Sequence, residues 1–179
     1  AGLKPTGVGV KLSAYGPHWL HDSPLLEDFT LDEADIVGAG MFGAQAMAGQ
    51  VLVEEGQVGD WMLLLLSGTV DVTRRIGEGD EVARLAVIRA GAAVGEMSML
   101  DGEPRYASCT AIDAVEFAVL TRQAVAALIK DHPGVGAKLL VKITQLLAQR
   151  LRNTTQQLTR LLDSRIRPGA AGRGENRAL

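Results

Sequence analysis

The residues best placed to do chemistry lie in one run: Gly95-Glu96-Met97-Ser98-Met99-Leu100-Asp101-Gly102-Glu103-Pro104-Arg105-Tyr106-Ala107-Ser108. Gly95 ends a strand-like stretch, Ala92-Ala93-Val94, and lets backbone approach a ligand closely. The segment after it can form one helical turn whose first amides point at an anion. Arg105 can add a charge-assisted pair to the same anion. Glu96 repels an anion, so it must face something else, and a pair of sugar hydroxyls suits it. Anion plus ribose indicates a nucleotide phosphate ester. The plainer alternative is an ordinary surface ion pair between Glu96 and Arg105.

The run resembles the phosphate-binding cassette of the cyclic nucleotide-binding domain family. That cassette commonly reads Phe-Gly-Glu-Leu-Ala-Leu, a short loop, then Pro-Arg-Ala-Ala-Thr. Gly95, Glu96, Gly102, Pro104, Arg105 and Ala107 fall at its spacing. The resemblance implies that Glu96 binds the ribose 2′-hydroxyl and Arg105 the cyclic phosphate. The amides of Met97 and Ser98 would complete the cradle, with Gly95 and Ala107 lining it. Tyr106 departs from the pattern, which usually has Ala, Ser or Thr there. Its ring could stack on the base, bond the phosphate through its phenol, or point outward.

These residues need a scaffold that holds a turn against strands. From Phe42 to Arg122 short apolar runs alternate with glycine turns. The runs are Gln50 to Glu54, Trp61 to Leu66, Val70 to Arg74, Val82 to Ile88, Tyr106 to Ile112 and Val115 to Leu120. The turns include Glu55-Gly56, Gly59-Asp60, Ser67-Gly68 and Gly77-Glu78-Gly79-Asp80. Many short strands at regular spacing indicate an antiparallel barrel, roll or sandwich. The glycines of these turns are read as structural. Residues 1–23 carry Gly, Pro and apolar residues without a period and read as a loosely ordered extension. Thr30-Leu31-Asp32-Glu33 is a capping-box pattern for a short helix to about Val37.

The C-terminal part is helical. Thr121 can cap a helix bearing Val125, Leu128 and Ile129 on one face. Asp131-His132-Pro133 breaks that helix and restarts another. From about Gly136 to Asp163 the apolar positions are Leu140, Ile143, Leu147, Leu151, Leu158, Leu161 and Leu162. This predicts an amphipathic helix of about 40 Å at 1.5 Å per residue. Steps of seven at Leu140, Leu147, Thr154 and Leu161 suggest a short coiled-coil seam and a parallel homodimer. Thr154 and Thr155 follow Leu151 as a Thr-Ser pair follows Arg-Arg-Leu in the family's activator-type members. The resemblance implies that their hydroxyls reach the base, one across the dimer axis. A solvated helix face is the plain alternative. Residues 164–179 are rich in Arg, Gly and Ala and are expected to be a disordered tail.

Composition narrows the classes. A chain of 179 residues fits one domain plus extensions. No apolar run approaches the ~20 residues of a membrane span. No secretory signal pattern is present, and Cys109 is the sole cysteine, so a reducing cytoplasm is the expected home. The net charge of −3 does not suggest nucleic-acid binding. It is uneven: residues 150–179 hold seven Arg against Asp163 and Glu175, a net +5, leaving −8 elsewhere. His18 and His21 lack a cysteine or acidic partner at metal-ligand spacing, and Cys109 reads as core. No P-loop, Rossmann fingerprint or nucleophile elbow occurs.

The resemblance implies an eight-stranded antiparallel β-roll at about 42–121, inside a domain at 24–163 with C-terminal helices at about 122–163. The cassette would lie between strands six and seven. The expected function is a non-catalytic sensor binding cAMP, with cGMP and cyclic di-GMP as alternatives, and relaying occupancy through its helices to an effector protein. No catalytic residue, metal or cofactor is expected. One rival is a fragment of a Crp/Fnr-type DNA-binding regulator, since the residues after Asp163 are too few for a helix-turn-helix. The other is a degenerate dimerisation module.

Overall fold

The structure, a computed structural model, describes residues 4–77 and 81–166. Nine strands and five α-helices form among them, in two compact units that divide between Thr144 and Gln145. Eight of the strands fall inside the span expected for the roll. They are β2 (Phe42–Ala46), β3 (Val51–Val53), β4 (Trp61–Ser67), β5 (Thr69–Arg75), β6 (Val82–Arg89), β7 (Ala93–Val94), β8 (Ser108–Ala111) and β9 (Val115–Thr121).

All pairings are antiparallel, in sheets of order β1-β2-β9-β4-β7 and β3-β8-β5-β6, where β1 is Lys4–Val8. Side chains alternate across a strand. In β4 and β9, Leu63 pairs with Val119 and Leu65 with Phe117, and all four join the core between the sheets. Val70, Cys109 and Ala111 join that core from β5 and β8, and Val115 from the start of β9. Met62 pairs with Leu120 and Leu64 with Ala118 on the opposite face, where they are also buried. A strand covered on both sides reads as an unbroken apolar run, as Trp61 to Leu66 does.

The extension differs from expectation. Residues 4–22 form β1, a 3-10 turn at Leu12–Tyr15 and α1 (Gly16–Asp22). β1 adds to the sheet edge beside β2, and its residues from Pro5 to Val8 are exposed, so it shows no apolar period. Backbone pairing, which any residue except proline can supply at both ends, places it. Leu12 and Leu20 anchor the segment in the core, and Asp35 accepts from the Ser13 amide and hydroxyl, each at 2.7 Å.

The helix signals hold. Thr30 and Glu33 form a reciprocal capping box on α2 (Leu31–Ala39). Thr121 Oγ1 accepts from the Ala124 amide at the start of α4 (Arg122–Asp131). α5 runs from Pro133 to Ile166, longer at both ends than its apolar period indicated. The expected tail lies outside the described residues from 167 onward, as does the expected turn from 78 to 80. Within the first unit, α5 buries Leu139, Lys142 and Ile143 and leaves Leu140 half-buried. Lys142 Nζ donates to Glu27 and Asp28, each at 2.7 Å, and Lys138 Nζ to Glu33 at 2.7 Å.

Candidate functional site

The cassette lies between the sixth and seventh strands of the roll, as α3 (Glu96–Asp101) between β7 and β8. Glycines bound this six-residue helix, because Gly95 and Gly102 both adopt left-handed backbone, φ 87° and 79°. Gly95 is also required for space, since a Cβ there would fall 2.7 Å from Arg105 Nη1. The first bond of the helix runs from the Met99 amide to Gly95 O at 3.2 Å. The amides of Met97 and Ser98 precede that bond, at the end where a helix's donors point outward.

Glu96, Ser98, Met99 and Arg105 are buried, while Met97 and Leu100 are exposed. Arg105 is 4% exposed. Its Nη1 donates to Gly95 O at 2.9 Å and its Nη2 to Trp61 O at 2.7 Å. Its Cζ sits over the Trp61 ring, 4.3 Å from the centroid. Among the described residues, no carboxylate lies within 4.0 Å of this guanidinium. Burial pulls its pKa below the usual arginine value, opposed by electrostatic interaction with Cys109, Asp60 and Glu96. An arginine stays protonated near neutral pH, so the group is a buried cation held by carbonyl dipoles and a ring. A carbonyl dipole does not neutralise a charge; an oxyanion does.

The sequence-derived residues fall in three places. Gly95, Glu96, Met97, Ser98 and Arg105 are gathered in and around α3, and Ala107 follows half-buried. Tyr106 is 55% exposed, and Arg74 covers its ring with Cζ 3.7 Å from the centroid. Of the arrangements open to Tyr106, the ring thus takes one in which a guanidinium is its stacking partner. Thr154 and Thr155 lie in the second unit on exposed helix surface. Their hydroxyls donate back to Arg150 O and Leu151 O at 3.0 and 2.9 Å.

Sequence reasoning missed two contributors. Gly59, read as structural, presses on the site directly: a Cβ there would lie 2.6 Å from Arg105 Nη2. Trp61, read as the start of a core strand, supplies both a ring and a carbonyl to Arg105. Nothing local to positions 59–61 signals a partner more than forty positions away.

Comparison with known proteins agrees with this fold. The family described as "Cyclic nucleotide-binding domain" matches residues 44–132. A solved cyclic nucleotide-binding domain from Methylobacillus flagellatus KT is 33% identical with TM-score 0.76, covering 95% of this chain and 92% of that one. The Thermus thermophilus catabolite activator protein is 30% identical with TM-score 0.70, covering 78% of this chain and 63% of that one. The Mycobacterium tuberculosis CRP-like cAMP-activated global transcriptional regulator is 33% identical over 114 residues, 64% of this chain. This chain spans about half, 49%, of that regulator's length. The chain belongs to the cyclic nucleotide-binding domain family. Among the described residues no helix is long and apolar enough to cross a membrane.

Proposed function

We propose that the chain is a non-catalytic sensor for a 3′,5′-cyclic nucleotide, with cAMP as the ligand. The observation that carries this reading is the Arg105 guanidinium, buried at 4% exposure with two N–H groups on backbone carbonyls. A guanidinium has five N–H donors, so three remain for a cyclic phosphate. Buried Glu96, first residue of α3, takes the ribose hydroxyl in this reading. The Met97 and Ser98 amides add donors to the phosphate. Occupancy fixes the cassette and shifts the populations of α4 and α5 toward the arrangement an effector reads. The sole cysteine, Cys109, is buried, which fits a reducing cytoplasm.

Assembly as a parallel homodimer through α5 is part of the proposal. Leu151, Leu158, Leu161 and Leu162 are 69%, 56%, 63% and 51% exposed in the single chain, a continuous apolar exposure that a second copy would cover. A transcription-regulatory output, of the kind the M. tuberculosis relative's name gives, is a separate reading, tested by DNA binding of the full gene product.

Calorimetric titration with cAMP, cGMP, cyclic di-GMP and 2′-deoxy-cAMP tests the ligand. cAMP is expected to bind tightest. Arg105→Ala should weaken it about ten- to hundredfold, the worth of one charge-assisted bond. Glu96→Gln should lose the preference for the 2′-hydroxyl. Equal binding by the parent and Arg105→Ala overturns the reading.

A further inference from the structure

The segment from Gly56 to Trp61 encloses Arg105 on several sides. The Arg105 amide donates to Gln57 O at 2.8 Å, and the Gly56 amide donates to Arg105 O at 2.9 Å. Neither Gly59 nor Gly95 carries a side chain, and a Cβ at either would come within 2.7 Å of the guanidinium. Trp61 contributes twice, through its carbonyl at 2.7 Å and through its ring, whose centroid is 4.3 Å from Cζ. The indole packs partly buried against the core on the strand face that carries Leu63 and Leu65.

We propose that Trp61 is a positioning residue for Arg105. The ring covers one face of the guanidinium and the carbonyl takes one of its edges. Together with Gly95 O they hold the plane in one orientation, leaving three N–H groups for an oxyanion. An exposed arginine must give up rotamer freedom when it grips a ligand. Here that freedom is surrendered on folding, so binding does not bear the cost. The indole also offers the electron-rich face that a desolvated cation needs, where an aliphatic side chain of equal size offers none. This inference rests on the reading of Arg105 as the anion-binding residue. It adds that the binding strength of Arg105 depends on an aromatic ring 44 residues earlier in the chain.

Two measurements on the full chain test it. The first needs no ligand. In protein labelled with ¹⁵N-arginine, the Arg105 Nε–H resonance, assigned by its loss in Arg105→Lys, should be displaced by the indole ring current. Trp61→Met should return it toward the position of a solvated arginine, and Trp61→Phe should keep part of the displacement. A resonance unmoved by Trp61→Met overturns the proposal. The second is cAMP affinity. Trp61→Met should cost about tenfold and Trp61→Phe less than about threefold, the latter also serving as the folding control. Combined with Arg105→Lys, which has no planar face to stack, Trp61→Met should add almost nothing. Full additivity of the two losses overturns the proposal, as does parent affinity in Trp61→Met. If Arg105→Ala itself binds like the parent, the site reading fails instead, and the resonance measurement still decides whether Trp61 holds Arg105.

Discussion

Arg122 grips Met99: its Nε donates to the Met99 carbonyl at 2.6 Å, and its Nη2 reaches Ser98 O at 3.2 Å. The first residue of α4 therefore caps the C-terminal end of the cassette helix, where a cation also suits the helix dipole. Its own amide donates to Asp60 O at 2.7 Å, one residue before Trp61. Arg105 and α4 thus meet the same two segments of chain. Arg122→Gln should destabilise the protein by about 1 kcal/mol, since the bonds are charge-assisted but the residue is exposed. Hydrogen exchange should quicken in α3 more than in β4. Uniform quickening, or none, would separate Arg122 from the cassette.

Gly59→Ala isolates the geometry of the site from the stability of the fold. The added Cβ meets the far end of a flexible side chain, 2.6 Å from Arg105 Nη2, and Gly59 needs no left-handed backbone. The guanidinium should move aside and the fold should persist. We expect a melting temperature within a few degrees of the parent and a cAMP affinity roughly tenfold weaker. Parent affinity in this variant would show that Arg105 tolerates displacement.

Lys142 should show an asymmetry. Its side chain is 6% exposed, whereas its partners Glu27 and Asp28 are 47% and 63% exposed. Lys142→Met leaves two solvated carboxylates and should be nearly neutral. Glu27→Gln with Asp28→Asn leaves the buried ammonium without an anion and should lower the melting temperature more. A larger loss in Lys142→Met than in the double variant would contradict this.

The same contacts set the acid limb of stability. The hydrogen bond from Lys142 holds Asp28 below the ordinary carboxylate range. That from Lys138 does so for Glu33, and that from the Ser13 amide for Asp35. A depressed folded pKa means stability is present above the unfolded value, about 4, and is lost as pH falls through the folded values. Melting temperature should be flat from pH 7 to about 5 and fall below about 4. Asp35→Asn and Asp28→Asn should each flatten that fall.

Assembly and base recognition separate on α5. Leu151→Lys with Leu161→Lys puts charge on the exposed apolar residues, and light scattering should then report a monomer where the parent is a dimer. Thr154→Val with Thr155→Ala removes two hydroxyls that bond within the helix at 3.0 and 2.9 Å. If those hydroxyls turn to the base on binding, cAMP should weaken by about 1–3 kcal/mol and its margin over cGMP should shrink. A parent monomer at tens of micromolar, or an unchanged preference in the threonine variant, would reject the respective reading.

What could be read from sequence was governed by neighbours in the chain. Thr30 bonds Glu33, Thr121 bonds Ala124, and Gly95 turns the strand into α3, each within a few residues. Strand existence followed from alternation and glycine turns, so seven of the roll's eight strands were legible as runs, as was the segment that holds Glu96 and Arg105, while β2 was implied only by the family resemblance. β1 was not, because an exposed edge strand owes its place to the backbone of β2 rather than to its side chains. Leu139 and Lys142 were missed as the buried face of α5, since the core they meet comes from distant segments. The same holds at the site. Residue types indicated that Arg105 could bind an anion, but only the tertiary structure brought the Trp61 ring, the bare Gly59 and the Gly95 carbonyl around it. Local hydrogen bonding and side-chain period are encoded within a few positions, whereas the surroundings of a buried charge depend on how sheets close over it.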